Sequence, residues 1–223
     1  FISREKGYHG VNFGGVSVGG LPANRKSFGP LLSGIDHLPH TWNLDEMSFS
    51  KGQPKWGLHL ADELENILSF QDPSTIAALI IEPVVGAGGV FVPPEGYLKK
   101  IREICDKHGI LLIFDEVITG WGRTGSAFAS QEFGVTPDIM TMAKATTNGI
   151  VPMGVVACKE EIYDSIMDAS PKGAVELFHG YTYSGIPISV AAALAVQEIF
   201  EKEDIFKRVK EMSPYFQEGL MSL

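Results

Sequence analysis

Short apolar runs, each ending on a polar or charged residue, set the pattern of this chain. Residues 76–81 run apolar up to Glu82-Pro83, residues 110–114 up to Asp115-Glu116, and residues 139–142 up to Ala143-Lys144. Apolar runs with no polar alternation are the pattern of strands buried on both faces of a parallel sheet. Residues 1–3 and 154–158 read as further strands. Helical periods lie between them. Over 58–70 the apolar positions are Leu60, Leu64, Ile67 and Leu68, a period that stops near Asp72-Pro73. A second helix starts at Pro93-Pro94-Glu95 and ends at His108-Gly109. It sets Tyr97, Ile101, Ile104 and Cys105 toward the sheet, with Lys99, Lys100, Arg102, Glu103 and Asp106 outward. Residues 160–167 and 187–200 read as helices too, the latter with an alanine-rich apolar face. Strand, helix, strand predicts a right-handed βαβ unit, so the fold class is α/β with a mainly parallel sheet flanked by helices.

The segments without periodicity are equally informative. Residues 35–56, rich in Pro, His, Gly and polar side chains, read as an irregular surface excursion. Gly10, Gly14, Gly15, Gly19 and Gly20 resemble a phosphate loop in composition but lack the Lys-Ser/Thr ending, so they read as a close-packed helix start and turn. Arg25 and Lys26 after them read as solvated. Residues 86–89 form a tight turn.

Glu82, Asp115 and Lys144 all stand at the carboxyl ends of predicted strands, where open α/β sheets bind ligands. A lysine amine forms Schiff bases with carbonyl compounds, pyridoxal phosphate included. A carboxylate facing the pyridine nitrogen of that cofactor is its usual protein partner. The separation of Asp115 and Lys144 leaves room for one crossover between neighbouring strands. The bare pair also fits an acid capping a loop and a solvated lysine, and Glu82 fits either a site acid or a loop cap.

Composition narrows the classes. A chain of 223 residues can bury a sizeable core, and its net charge of −9 with no basic block argues against nucleic acid or an anionic membrane as partner. No signal-peptide pattern is visible and no apolar run has the length of a membrane span. Cys105 and Cys158 read as buried free thiols of a reducing compartment, here the cytoplasm. The histidines are scattered; His37, His40 and His59 read as structural loop residues, with no metal site expected.

Longer motifs point further. FDEVITGWGRTG followed by GVTPDIMTMAKATTNG resembles the signature of the class III pyridoxal-phosphate aminotransferases. YHGVNFGGVSVGG, DHLPHT, IEPVVGAGGVFVPPEGYL and HGYTYSG fall in the same family's order, so the resemblance covers essentially the whole chain. It is nearest to the ω-amino acid (β-alanine)–pyruvate branch, where isoleucine stands at the position of Ile118 in place of the glutamine of many other members.

The resemblance implies a pyridoxal-phosphate transferase of fold type I, with 1–198 as part of a large cofactor domain and 199–223 as the start of a small one. Family members are considerably longer, so the chain is expected to be an interior piece. The phosphate-binding turn is expected before Phe1 and the arginine for the substrate carboxylate after Leu223. Implied roles are a Schiff base at Lys144, pairing of Asp115 with the pyridine nitrogen, stacking by Tyr8 or its neighbour His9, and pressure on the opposite ring face by Val117. Thr182 would reach the cofactor phosphate of the other subunit of a homodimer or dimer of dimers. Tyr8 and His9 also fit an ordinary core tyrosine beside a backbone-bonded histidine. Arg123 reads as a structural ion-pair arginine, and Ile186 departs from the histidine or asparagine usual in the family. The implied activity transfers an amino group from an ω-amino acid or amine to pyruvate. A glutamate-1-semialdehyde-type aminomutase and a non-catalytic homologue are the alternatives.

Overall fold

The structure is a computed structural model that describes residues 1–175 and 177–223. In chain order its elements are β1 (Ile2–Arg4), α1 (Phe13–Val18), α2 (Pro22–Arg25), β2 (Asp36–Leu38), α3 (Leu44–Met47), α4 (Glu63–Phe70), β3 (Ala78–Ile81), α5 (Tyr97–His108) and β4 (Leu111–Asp115). They continue with α6 (Ala129–Phe133), β5 (Ile139–Met142), β6 (Val155–Cys158), α7 (Glu160–Asp168), α8 (Pro187–Lys202) and α9 (Ile205–Met221). The six strands form one sheet in the order β2-β1-β3-β4-β5-β6. All neighbours are parallel except β5 and β6, which pair antiparallel.

Strand alternation sorts the side chains. Leu79, Ile81, Leu112 and Phe114 are fully buried, and they join Leu64 and Leu68 of α4 and Tyr97, Ile101 and Cys105 of α5 in one apolar core. The stripe expected on α5 is therefore the buried face. Gly109, at φ 67, accepts the left-handed turn that ends α5. Truncating one of these core leucines to alanine costs about 2–5 kcal/mol. The opposite face of β4 is less covered: Leu111 is 36% exposed and Ile113 half-buried. The expectation of a strand buried on both faces thus holds for one face; the apolar run reports what each face could bury, not what covers it.

Several other expectations are corrected. The 35–56 segment contains a strand, β2, parallel to β1 with Ile2 opposite Asp36; three residues are too few to show a period. Arg25 is half-buried, and its guanidinium donates to the carbonyls of Ser17 (2.7 Å) and Gly19 (2.6 Å), covering the open end of α1. Cys105 is buried, whereas Cys158 is exposed on the edge strand β6. Arg123 is exposed and donates only to the Gly120 carbonyl, with no ion pair among the described residues. Arg102 folds back instead of pointing outward, and its side chain is 15% exposed.

Arg102 is held by Asp138, the residue before β5. The Asp138 carboxylate takes ion pairs from Arg102 (2.7 Å) and Lys159 (2.7 Å) and accepts the backbone N–H of Leu112 (2.7 Å), tying α5, β4 and β6 to the start of β5. Burial alone would raise its pKa, but the bonds from Lys159, Leu112 and Arg102 outweigh that and hold it below the usual carboxylate value.

Two outcomes follow. Asp138→Asn removes the shared anion from Arg102 and Lys159, but Arg102 keeps Asp106 at 2.7 Å and Lys159 is 45% exposed, so urea unfolding near neutrality should show a loss of about 1–3 kcal/mol. A depressed carboxylate stabilises above its unfolded pKa and ceases to as pH falls through the folded value, so the gap between wild type and variant should close in acid. Second, burial pushes the Cys105 thiol up to about 12. A thiol reagent should therefore modify Cys158 promptly in the native protein and Cys105 only on unfolding.

Candidate active site

The face of the sheet away from α4 and α5 carries the candidate site. Alternation along β3 and β4 puts Ile80, Glu82, Ile113 and Asp115 on that face, and Asp115 lies in register with Thr141 of β5. A cavity of about 280 Å³ opens there, lined by Tyr8, His9, Gly10, Ile80, Glu82, Asp115, Val117, Ile118, Thr141 and Lys144. The acid and the lysine at the ends of neighbouring parallel strands thus border one space. The tyrosine and histidine arrive from the turn that follows β1.

Asp115 is 8% exposed. Its Oδ2 lies 2.8 Å from His9 Nδ1, and its Oδ1 accepts the backbone N–H of Val117 at 3.1 Å. Both oxygens are thereby fixed in direction. The His9 side chain is 2% exposed, and its Nε2 has no partner among the described residues. This acid–histidine contact was not read from the sequence; the two residues lie far apart in the chain, and only the β1–β3–β4 order brings them together.

Glu82 accepts the backbone N–H of Tyr8 at 2.9 Å and that of Gly86 at 2.8 Å, so one carboxylate clamps the Tyr8 segment to the tight turn after β3. Burial pushes its pKa up, with the two backbone bonds opposing. Beneath it Arg4, 1% exposed, donates to the Glu82 carbonyl at 2.7 Å and lies 5.7 Å from the Tyr97 ring centroid. Both readings of Glu82 therefore meet: it caps the loop and lines the cavity. Among the described residues no arginine pairs with its carboxylate.

Lys144 opens a 3-10 turn, Lys144–Thr146, with φ 50, in the left-handed region. For a side chain with a Cβ that conformation costs about 1–2 kcal/mol. Among the described residues its amine has no hydrogen-bond or ion-pair partner. A second, larger cavity of about 850 Å³ meets the first at Val117, Thr141 and Lys144, and is walled by Met142, Tyr181, Tyr183, Ile186 and Val190 among others. Thr182 is exposed and lines neither cavity, although its neighbours Tyr181 and Tyr183 line the larger one.

Glu116 takes the opposite direction from Asp115. It is fully buried and accepts Ala129 N–H at 2.7 Å, Ser130 N–H at 2.8 Å and the Thr119 hydroxyl at 2.9 Å. It closes both ends of the glycine-rich loop onto the strand. The sequence signal for this was available in the alternation of adjacent acids at a strand end.

The amine, the buried acid and an aromatic beside a branched apolar side chain thus border one cleft. The family description "Aminotransferase class-III" matches residues 1–223, and the chain belongs to that family. It is 56% identical to an omega-aminotransferase of Caulobacter vibrioides, covering 100% of this chain and 50% of that protein. It is 52% identical to the omega-amino acid–pyruvate aminotransferase of Pseudomonas putida, covering 98% of this chain and 49% of that one. A solved amine transaminase from an uncultivated Pseudomonas species, in a PLP-bound form, superposes with a TM-score of 0.84 at 43% identity, covering 93% of this chain and 46% of that structure. The fold is that of the type I PLP-dependent transaminases. The chain spans about half the length of the curated relatives it matches.

A Cβ added at Gly86 would lie 2.5 Å from Ile118 Cδ1 and 3.3 Å from Glu82 Oε2. Gly86→Ala should therefore push Ile118 into the smaller cavity and weaken cofactor retention, an overpacking penalty of about 1–3 kcal/mol. Adding Ile118→Val, which removes the colliding methyl, should recover most of that loss in a dilution assay of retained cofactor.

Proposed function

We propose that the full-length protein is a pyridoxal-phosphate-dependent transaminase that moves an amino group from an ω-amino acid such as β-alanine, or from an amine, to pyruvate. The observation that carries this reading is that Asp115 and Lys144 line one small cavity together with Tyr8 and Val117. The names of the relatives from Caulobacter vibrioides and Pseudomonas putida support the donor and acceptor classes.

When bound, the cofactor supplies an aldehyde and an electron-accepting pyridine ring. Lys144 would hold the aldehyde through its amine, and the same amine, when free, would carry the proton at the substrate carbon. Asp115 holds the proton on the pyridine nitrogen, and its fixed oxygens, against His9 and the Val117 N–H, keep it aimed. Tyr8 and Val117 bound the flat space for the ring, with Ile118 beside them. Thr182 contributes a hydroxyl to the cofactor phosphate across a homodimer or dimer of dimers; its exposure in this chain is compatible with service to a second subunit. The larger cavity, with Tyr181, Tyr183, Ile186 and Val190 in its wall, receives the substrate chain. The division at residue 198, between a cofactor domain and a smaller one, falls within α8. Residues of this part of the chain act in a cytoplasmic enzyme.

In the full-length protein supplied with pyridoxal phosphate, Lys144→Ala should abolish the visible absorption of the bound cofactor and lower turnover by about 10³-fold or more. A mutant that keeps the band would remove the lysine from its role. A donor panel of β-alanine, 4-aminobutyrate, an aromatic amine and ornithine should show turnover that requires pyruvate as a separate acceptor. Turnover without any added keto acid would indicate an aminomutase.

A further inference from the structure

The left-handed turn at Lys144 persists only if its surroundings hold it. Part of that hold is local: Ala145, Thr146 and Thr147 are buried, and the Thr147 hydroxyl donates to the Val151 carbonyl at 2.6 Å. The rest comes from across the site. The Trp121 indole N–H donates to the Thr146 hydroxyl at 2.9 Å, and that hydroxyl donates to the Ala143 carbonyl at 3.1 Å. Ala143 and Thr146 flank Lys144 on either side. An indole N–H can only donate, and a hydroxyl has one proton to give. Trp121 therefore fixes the direction of the Thr146 hydroxyl and turns its proton onto the carbonyl just before the lysine.

Trp121 is itself built to be still. It sits at φ 61 in the loop that Glu116 closes at both ends, its ring centroid lies 5.0 Å from that of Phe128 and 6.4 Å from that of Phe200, and its backbone N–H donates to the Ala127 carbonyl. The pairing of β4 with β5 ends at Asp115 and Thr141. Beyond that point, among the described residues, no other hydrogen bond joins the loop 117–128 to the turn 143–149.

We propose that Trp121 and Thr146 are positioning residues for Lys144: the bond between them locks the loop that follows the acid to the turn that carries the amine, and so sets where that amine points. This rests on Lys144 carrying the cofactor, as proposed above. Neither side chain lines the small cavity, so the effect passes through the lysine.

The test uses the full-length holoenzyme with Trp121→Phe, which keeps an aromatic ring against Phe128 and Phe200 but loses the N–H, and Thr146→Val, which keeps the shape but loses the hydroxyl. Each should stay folded and retain its cofactor stoichiometry, shift the pH midpoint of the visible band, and lower kcat about tenfold with KM for the amino donor little changed. The double variant should be no worse than either single one, because both remove the same link. Thr146→Ser, which keeps the hydroxyl, should recover the wild-type titration. A wild-type titration and kcat in Trp121→Phe, or additive losses in the double variant, would overturn the proposal. Lys144→Ala in parallel separates the two failures: if it keeps the visible band, the assignment of the lysine falls and this inference with it. If it loses the band while Trp121→Phe behaves as wild type, this inference alone falls.

Discussion

Two adjacent carboxylates at the end of β4 organise the molecule. Successive residues of an extended chain point to opposite faces, so Asp115 must enter the cleft if Glu116 enters the protein. Glu116 is fully buried and both its oxygens are held, by two backbone N–H groups and a hydroxyl. That commitment orients Asp115, and it also returns the glycine-rich loop to the sheet. The loop in turn brings Val117 and Ile118 to the cavity. One strand terminus thus fixes the acid, two apolar contacts and the connection that leads to the strand of the lysine.

The parallel registry then does the rest. Because β3, β4 and β5 run the same way side by side, their carboxyl ends all open on one edge of the sheet, and residues separated by a whole helix or loop converge there. The core beneath, on the α4 and α5 side, lines neither cavity. It keeps the strand ends at a constant spacing, and the buried Asp138 cluster does the same at the opposite end of β5.

How much of this could be read from the letters depended on the range of the interaction. Apolar runs and helical periods are local, and they gave β3, β4, β5, α5 and α8 with small errors at their ends. The polar residue closing each run placed Glu82, Asp115 and Lys144 at one edge before any coordinates. β2 escaped because three residues next to a proline carry no period. Arg25, Arg102 and Cys158 were misjudged because solvation depends on what packs over a residue, which no window of sequence contains. The contact of His9 with Asp115 needed the strand order, which brings together residues far apart in the chain.

The two outermost strands carry a consequence for handling the molecule. Among the described residues β2 has three residues and β6 four, so the rims of the sheet that these residues form are short. An incoming extended segment would find too short a template to zip onto, which blunts fibril-like stacking. Clumping, where it arises, would run through side chains such as Phe178, 88% exposed, and Tyr183, 78% exposed, and not through the backbone. Mild detergents or arginine should therefore disperse it more readily than agents that break amide pairing.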